Sequence, residues 1–167
     1  SGVEYYLFSR SDRELVLRQF LEPLLPHYDA ILIDTPPSLN LLTLNALAAS
    51  QGVIVPVQPE FFSLEGIVKI RKAIDDVAAR FAPGLVIQAV LATQVSARRR
   101  LTQEVLTVLR AEMGDVLVEA VVHDNTAVTE SSGNAQSVFD YDRKSRGAQD
   151  YWAAAREIGK KTGLNIG

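Results

Sequence analysis

The chain has 167 residues, the length of a single domain that can bury a sizeable core. It contains no cysteine, which excludes disulfides and thiolate metal sites, and its two histidines, His27 and His123, are too few and too far apart to indicate a metal site. Its net charge of −3 requires any binding to nucleic acid to come from a local basic patch, and no apolar run approaches the roughly 20 residues of a membrane span.

The first part of the chain predicts strand, helix and strand in that order. Val3–Phe8 is predicted to be a short strand. Ser11 and Glu14 have the spacing of a capping box, which satisfies open N–H groups at a helix start, and Pro23 should kink or end that helix early. Ala30–Ile33 is an apolar run of the kind that forms a parallel strand covered by helices on both sides.

The middle of the chain continues this alternation. Leu41–Ala49 is predicted to be a helix, and the apolar run Gly52–Val57 a second parallel strand. Ser63 suits the N-cap of a long amphipathic helix, whose apolar residues repeat at helical spacing until Pro83 ends the element.

The remaining sequence repeats the scheme, apart from the polar stretch 124–136, which shows no clear periodicity. Strands are predicted at Leu85–Thr93 and Val116–Val122, and helices at Leu101–Met113 and from about Gly147 to Lys160. Strands separated by helices predict a soluble α/β domain spanning residues 1–167, with a mainly parallel sheet flanked by helices.

Asp34 is the first candidate for chemistry. A carboxylate at the C-terminal end of a buried apolar strand places a negative charge at the sheet edge where ligands bind. In phosphate-binding enzymes such a carboxylate serves Mg²⁺, directly or through a water. Pro36 and Pro37 fix the chain as it leaves the strand. The alternative is an aspartate that simply caps the next turn.

Three ordered segments of the sequence closely resemble signatures of the ParA/Soj partition ATPases. They are Tyr28–Ser38 followed by Leu41–Leu47, then Val55–Gly66, and finally Tyr141–Ala148. Together they extend over nearly the whole chain. The resemblance implies the P-loop NTPase-like fold of the ParA/MinD type.

The resemblance also implies a function and its site residues. Such ATPases bind ATP and Mg²⁺, form a homodimer around the nucleotide and coat double-stranded DNA non-specifically. A ParB-type partner protein stimulates hydrolysis and so moves a plasmid or chromosome origin on the nucleoid, in the cytoplasm. Asp34 would be the catalytic Walker B carboxylate, acting on Mg²⁺ through water, and Pro36 and Asn125 would bind the nucleotide. The Asn125 amide would read adenine, and a turn residue is the alternative for it.

The sequence departs from the family pattern in two ways. His123-Asp124 stands where the family usually has Pro-Arg, so the nucleotide pocket or the DNA face is altered at this edge. The family's glycine-rich Walker A loop, whose N–H groups cradle phosphates, occurs nowhere in the 167 residues. We therefore expect the C-terminal part of such an ATPase, inactive alone. Without the P-loop strand, Ile31–Ile33 would have an unpaired edge, and we expect self-association.

A basic patch is the candidate DNA-binding surface. Arg98, Arg99 and Arg100 precede a predicted helix, and Arg98 matches the family arginine associated with DNA binding. Three guanidiniums in a row contact phosphates without reading bases, which is the chemistry of non-specific, salt-sensitive binding. Arg143, Lys144 and Arg146 could extend the patch. The alternative is a solvated charged loop.

Each alternative function would require a different feature of the sequence. A MinD-like membrane ATPase would end in a basic amphipathic helix, and residues 160–167 are too short for one, so no membrane partner is expected. The main alternative is a ParA-like module without catalysis that binds DNA or a partner. An unrelated flavodoxin-like binding domain fits the periodicity but leaves the three signatures unexplained.

Overall fold

The structure, a computed structural model, describes residues 2–36, 38–59, 64–96 and 100–166. The chain divides into two compact units. The first comprises Ser1–Val53 with Glu65–Ile87, and the second comprises Ile54–Leu64 with Gln88–Gly167. The expectation of a single domain stays a prediction. In the part of the chain that is described, no helix is long and apolar enough to cross a membrane.

The described residues of the first unit form four α-helices and one 3-10 helix. They are α1 (Gly2–Phe8), α2 (Val16–Leu21), the 3-10 helix Glu22–His27, α3 (Leu41–Ala49) and α4 (Leu64–Arg80), whose first residue belongs to the second unit. The amphipathic α4 buries its apolar side because this stripe packs against α3 and the following loop. This core is formed by Ile74, Val77, Ala82 and Leu85, with Leu44, Leu47 and Phe81 packed against it.

Two strands form the described sheet, β1 (Gly52–Val57) and β2 (Val86–Ala92). The segment after α5 (Arg100–Met113) and a 3-10 helix (Gly114–Val116) continues the sheet as isolated parallel bridges, Val90 to Leu117 and Val95 to His123. The structure is therefore an α/β fold with a parallel sheet flanked by helices, as the sequence predicted.

The second unit ends in three helices, α6 (Thr126–Gly133), α7 (Val138–Tyr141) and α8 (Arg146–Thr162), which pack on one another. The Glu157 carboxylate of α8 accepts the backbone N–H groups of Glu119 and Ala120 at 2.8 and 3.0 Å, which ties the helix to the bridged segment. The core beneath α8 comprises Ala89, Leu91, Val118, Val122 and Ala154.

Two predictions for the N-terminal residues were wrong. Val3–Phe8 lies in helix α1 and is not a strand. Ser11 and Glu14 form no capping box, because α2 begins only at Val16 and the Glu14 carboxylate instead accepts a hydrogen bond from Arg13 at 2.9 Å. This hydrogen bond lowers the pKa of Glu14.

The predicted strand Ala30–Ile33 is also absent from the structure, in which residues 30–36 have no regular secondary structure. Among the described residues, the backbone of 30–35 has no backbone hydrogen bond. A strand is stable only when a neighbour satisfies its N–H and C=O groups. The apolar composition was recognised correctly, but within the described part of the chain no neighbouring segment pairs with this run to make it a strand.

The predicted strand Val116–Val122 is realised only in part. Val118 and Val122 donate backbone N–H groups to Val90 and Ala92 in β2 at 2.9 Å each, so the chain runs beside β2. The isolated bridges are at Leu117 and at His123, one residue beyond the predicted strand. The other predicted helices and strands of the middle and C-terminal parts are confirmed, with shifts of a few residues at their ends. Ser63 lies outside the described residues.

Candidate functional site

Asp34 lies in the first unit on the exposed segment that follows the apolar run. Within the described residues, its carboxylate has no hydrogen-bond or ion-pair partner. With Thr35 and Pro36 it lines a cavity of about 510 Å³. A charged group at the mouth of an apolar cavity, without a protein partner, is free to serve a ligand.

The rest of that cavity is apolar and comes from α1, α2 and α3. Its lining includes Tyr6, Leu7, Val16, Phe20, Leu42 and Ala46. Several large apolar side chains of this unit are strongly exposed, including Tyr5 at 83% and Leu32 at 84%. A patch of this kind normally marks a surface that something else covers.

Asn45 is a buried polar residue of this cavity that sequence reasoning missed. It is 4% exposed, and its Oδ1 accepts the Leu17 N–H at 3.1 Å. Its Nδ2 donates to the carbonyls of Arg13 and Leu41 at 2.7 and 3.0 Å. Asn45 therefore fixes α2 against α3. A lone amide within an otherwise apolar helix is the sequence signal that could have identified it.

The residues around Asp34 fit a magnesium ion only in a limited way. The described residues contain no group of three or more acidic or histidine side chains that could hold a metal. Mg²⁺ is usually held by one or two carboxylates, with waters and substrate phosphates completing its octahedron. One exposed, unpartnered carboxylate beside the Thr35 hydroxyl fits that arrangement and does not fit a metal cage made entirely of protein.

Asn125 lies in the second unit and has a structural task. It is the N-cap of α6, and its Oδ1 accepts the Ala127 N–H at 3.0 Å. Its amide Nδ2 has no partner within the described residues. The N-cap role differs from the turn residue that the sequence offered as the alternative, and within the described residues it leaves the amide donor free. Asp34 belongs to the first unit and Asn125 to the second.

Gly147 holds the surroundings of Asn125 in place. A Cβ at Gly147 would lie 2.5 Å from Val128 Cγ2 and 3.0 Å from Asn125 Oδ1. Only glycine therefore allows α8 to approach the start of α6 this closely. The adjacent His123 is also held, because Asp150 accepts its backbone N–H at 3.0 Å and contacts its Nδ1 at 2.8 Å.

The structure describes only part of the predicted basic patch. Arg98 and Arg99 lie outside the described residues, and Arg100 is the first residue of α5. Lys144 and Arg146 flank Ser145, the N-cap of α8. Arg146 approaches Asp150 at 3.9 Å, and the Lys144 side chain has no partner among the described residues.

Comparison with known families gives one model that covers the first half of the chain. A family described as an AAA domain matches residues 1–87, just over half of the sequence.

Curated relatives match along nearly the whole chain. The chromosome partitioning protein ParA of Caulobacter vibrioides is 40% identical over 95% of the chain, and that of Myxococcus xanthus is 37% identical over 96%. The sporulation initiation inhibitor protein Soj of Bacillus subtilis is 35% identical over 95%. The chain spans only 60%, 57% and 62% of the length of these relatives, respectively.

Solved structures share the fold. A cobyrinic acid a,c-diamide synthase from Mycobacterium smegmatis, with a bound ATP analogue and magnesium, is 29% identical with a TM-score of 0.76 and covers 99% of the chain. McdA from Cyanothece in an ATP complex has a TM-score of 0.80 over 99% at 12% identity, and MinD of Pyrococcus furiosus has 0.70 over 88% at 22%. The chain covers 62%, 64% and 58% of these structures. The fold is that of P-loop ATPases of the ParA and MinD type.

Proposed function

We propose that this chain, which belongs to the AAA domain family and is of the ParA/Soj type, is part of a DNA-partitioning ATPase. The observation that carries the proposal is the exposed, unpartnered Asp34 at the end of an apolar run, in a chain that matches partitioning proteins along 95% of its length. The relatives' longer chains suggest that the complete ATPase contains more sequence than these 167 residues.

Asp34 is the proposed magnesium-serving residue of this ATPase. The cavity beside it would be closed by further chain carrying the glycine-rich phosphate loop, which the 167 residues lack. A bound Mg²⁺ would neutralise charge on the nucleotide phosphates. Asp34 would orient the waters around that ion, and Pro36 would hold the chain next to the nucleotide. The free amide of Asn125 would donate to the adenine edge while its Oδ1 caps α6.

The proposed DNA surface comprises Arg98, Arg99 and Arg100, extended by Lys144 and Arg146. A helix N-terminus carries partial positive charge, so cations there oppose the helix dipole. Lys144 and Arg146 stand at the start of α8 at this electrostatic disadvantage. Arg146 approaches Asp150 at 3.9 Å, whereas the Lys144 side chain has no partner among the described residues. The position of Lys144 is therefore better explained by contact with an external anion than by helix stability, and phosphates of duplex DNA supply that anion.

Nucleotide chemistry is tested by comparing this chain with a version extended upstream through a glycine-rich loop. We expect only the extended protein to bind ATP with Mg²⁺ and to hydrolyse it faster with DNA. Asp34→Asn in the extended protein should abolish magnesium-dependent turnover. Asp29→Asn is the matched control, because Asp29 is exposed and near Asp34 but does not line the cavity. Equal turnover in both variants would contradict the role of Asp34.

DNA binding is tested by the salt dependence of duplex affinity. Arg98→Gln should lower affinity for all sequences and reduce the slope of log K against log salt by about 1. Arg110→Gln is the matched control, since Arg110 lies at the far end of α5 and pairs with Glu119 at 3.0 Å. If both substitutions change the slope equally, the effect comes from net charge and not from a defined surface.

The proposal extends to assembly and location. The intact protein would form a homodimer with nucleotide, respond to a ParB-type partner and act on the nucleoid in the cytoplasm. The relatives' names support a partitioning role.

A ParA-like module without catalysis is the second candidate. It is favoured by the absence of a glycine-rich phosphate loop from the 167 residues. Duplex binding through Arg98 by a protein whose extended form neither binds nor hydrolyses ATP would support this candidate over the ATPase.

A further inference from the structure

A second cavity lies in the second unit, beside α7 and the first turns of α8. Its volume is about 370 Å³, and it is lined by Phe139, Arg143, Ala148, Gln149 and Trp152. None of these residues belongs to the proposed nucleotide site, and Arg143 is the one that the sequence also offered as an extension of the basic patch. We call this cavity the Phe139–Trp152 recess.

The recess offers exposed aromatic surface. Phe139 is 38% exposed and Trp152 45% exposed, and their rings meet edge to face with centroids 6.2 Å apart. Ala148 between them in sequence is 1% exposed, so the inner end of the recess is closed by packed protein. Two large aromatic rings that support each other but stay open to solvent are typical anchors of a binding surface.

A positive charge accompanies the aromatic rings. Within the described residues, the Arg143 guanidinium has no hydrogen-bond or ion-pair partner. The nearby acids accept hydrogen bonds from other groups, Asp140 from the Ser137 hydroxyl at 2.7 Å and Asp150 from the His123 N–H, and among the described residues none of them pairs with Arg143. Asp142 accepts the Lys144 N–H at 3.0 Å. Arg143 is therefore available to an external carboxylate.

Hydrogen bonds fix the segments that surround the recess. The Tyr141 hydroxyl donates to Glu130 at 3.0 Å, which joins α7 to α6 and raises the pKa of Tyr141. Gln149 Nε2 donates to the Lys144 carbonyl at 3.0 Å, which fixes the loop before α8. Because the residues around the recess are already ordered, they lose little conformational entropy when a partner binds. Even a short partner segment can therefore bind with measurable affinity.

We propose that the Phe139–Trp152 recess docks a segment of a partner protein in which a large apolar side chain stands next to a carboxylate. The apolar side chain would fill the recess against the two rings, and the carboxylate would pair with Arg143. Charge complementarity favours an acidic segment, because Arg143 is the charged residue among those that line the recess and has no ion-pair partner within the described residues. The two rings are 79° apart and provide no parallel platform for stacked bases, which disfavours nucleic acid.

The probe is a short acetylated peptide with leucine and phenylalanine set among glutamates, and its analogue has every glutamate replaced by glutamine. Trp152 is the one tryptophan of the sequence, so its fluorescence reports on the recess directly. Labelled peptide anisotropy gives the affinity. We expect the acidic peptide to shift Trp152 emission and to bind about tenfold or more tighter than the glutamine analogue.

Substitutions distinguish specific binding in the recess from a general attraction of the peptide to positive charge. Arg143→Gln should weaken the acidic peptide about tenfold, and Phe139→Ala should weaken both peptides. Lys144→Gln is the matched control, because it removes the same charge from a neighbour that does not line the recess. Far-ultraviolet circular dichroism checks that each variant is folded.

Several outcomes would overturn the proposal. One is equal affinity for the acidic and glutamine peptides, and another is equal weakening by Arg143→Gln and Lys144→Gln. Displacement of the peptide by single-stranded or duplex DNA with the same Trp152 shift would assign the recess to nucleic acid. Loss of a dimer in Phe139→Ala, seen by sedimentation, would assign it to a second copy of this chain. The proposal stands independently of ATP turnover, which none of these measurements uses.

Discussion

Gly147→Ala is the substitution whose effect the structure defines most closely. The added methyl would stand 2.5 Å from Val128 Cγ2, and a real Cβ contact is never that short. It would also stand 3.0 Å from Asn125 Oδ1, the atom that accepts the Ala127 N–H and begins α6. The substitution therefore pushes α8 away from α6 and disturbs the N-cap at the same time.

The expected loss follows from these contacts. Forcing a methyl group into packed protein costs about 1–3 kcal/mol, and losing an N-cap hydrogen bond costs about 1 kcal/mol. Alanine is a better helix former than glycine by up to about 1 kcal/mol, which offsets part of the loss. We expect the free energy of unfolding to fall by about 1–3 kcal/mol, with a melting temperature lower by about 2–4 °C for each kcal/mol.

Urea and thermal unfolding measure this change, and the chain offers a matched control. Gly133 is the last residue of α6, and a Cβ there would meet nothing within 4 Å. Gly133→Ala should leave stability unchanged or raise it slightly. If Gly147→Ala is as stable as Gly133→Ala, the close approach of α8 to Asn125 is wrong, and so is the described setting of that residue.

Three further predictions concern the first unit. Asn45→Ala should lower the free energy of unfolding by about 2–4 kcal/mol in urea, because it leaves buried backbone groups unpaired; an unchanged midpoint would refute this. The two hydrogen bonds from Arg10 hold the pKa of Asp12 well below its usual range, so their stabilisation is present above about pH 4 and is lost as pH falls towards the folded pKa. The melting temperatures of wild type and Asp12→Asn should therefore converge below about pH 4, and a constant difference would argue against the pair. Leu32→Lys should reduce self-association in sedimentation, because Leu32 is 84% exposed on a segment that has no backbone hydrogen bonds among the described residues; a chain that is monomeric without the substitution would contradict this.

The elements that the sequence predicted well are those whose pattern is local. α4 and α5 repeat apolar residues at helical spacing, and β1 and β2 are compact apolar runs. In such segments the spacing of the apolar side chains specifies which face is buried. The element can therefore be predicted without knowing which segments pack against it.

The elements that were missed depend on contacts that the pattern does not contain. Val3–Phe8 carries aromatic and branched residues that favour a strand, but it forms helix α1. α6 is short and polar without an apolar stripe, and its signal was the N-cap Asn125, which was considered only as a ligand or turn residue. Ala30–Ile33 fails as a strand for want of a backbone partner.

The candidate site, like the fold, could be predicted from the sequence only in part. Asp34 could be identified from its place at the end of an apolar run, and the structure leaves it exposed and unpartnered among the described residues. Asn45, Gly147 and the pairing of Phe139 with Trp152 were not foreseen. Their roles depend on contacts between segments that are distant in sequence, and such contacts cannot be deduced from a single sequence.

The most direct test of the partitioning ATPase is magnesium-dependent ATP binding by the upstream-extended protein, measured by calorimetry with and without Asp34→Asn. The account predicts tight binding that requires Mg²⁺, weak binding in the Asp34 variant, and binding in the Asp29→Asn control equal to wild type. Nucleotide binding that ignores Mg²⁺ and Asp34, or no binding by the extended protein, would contradict it.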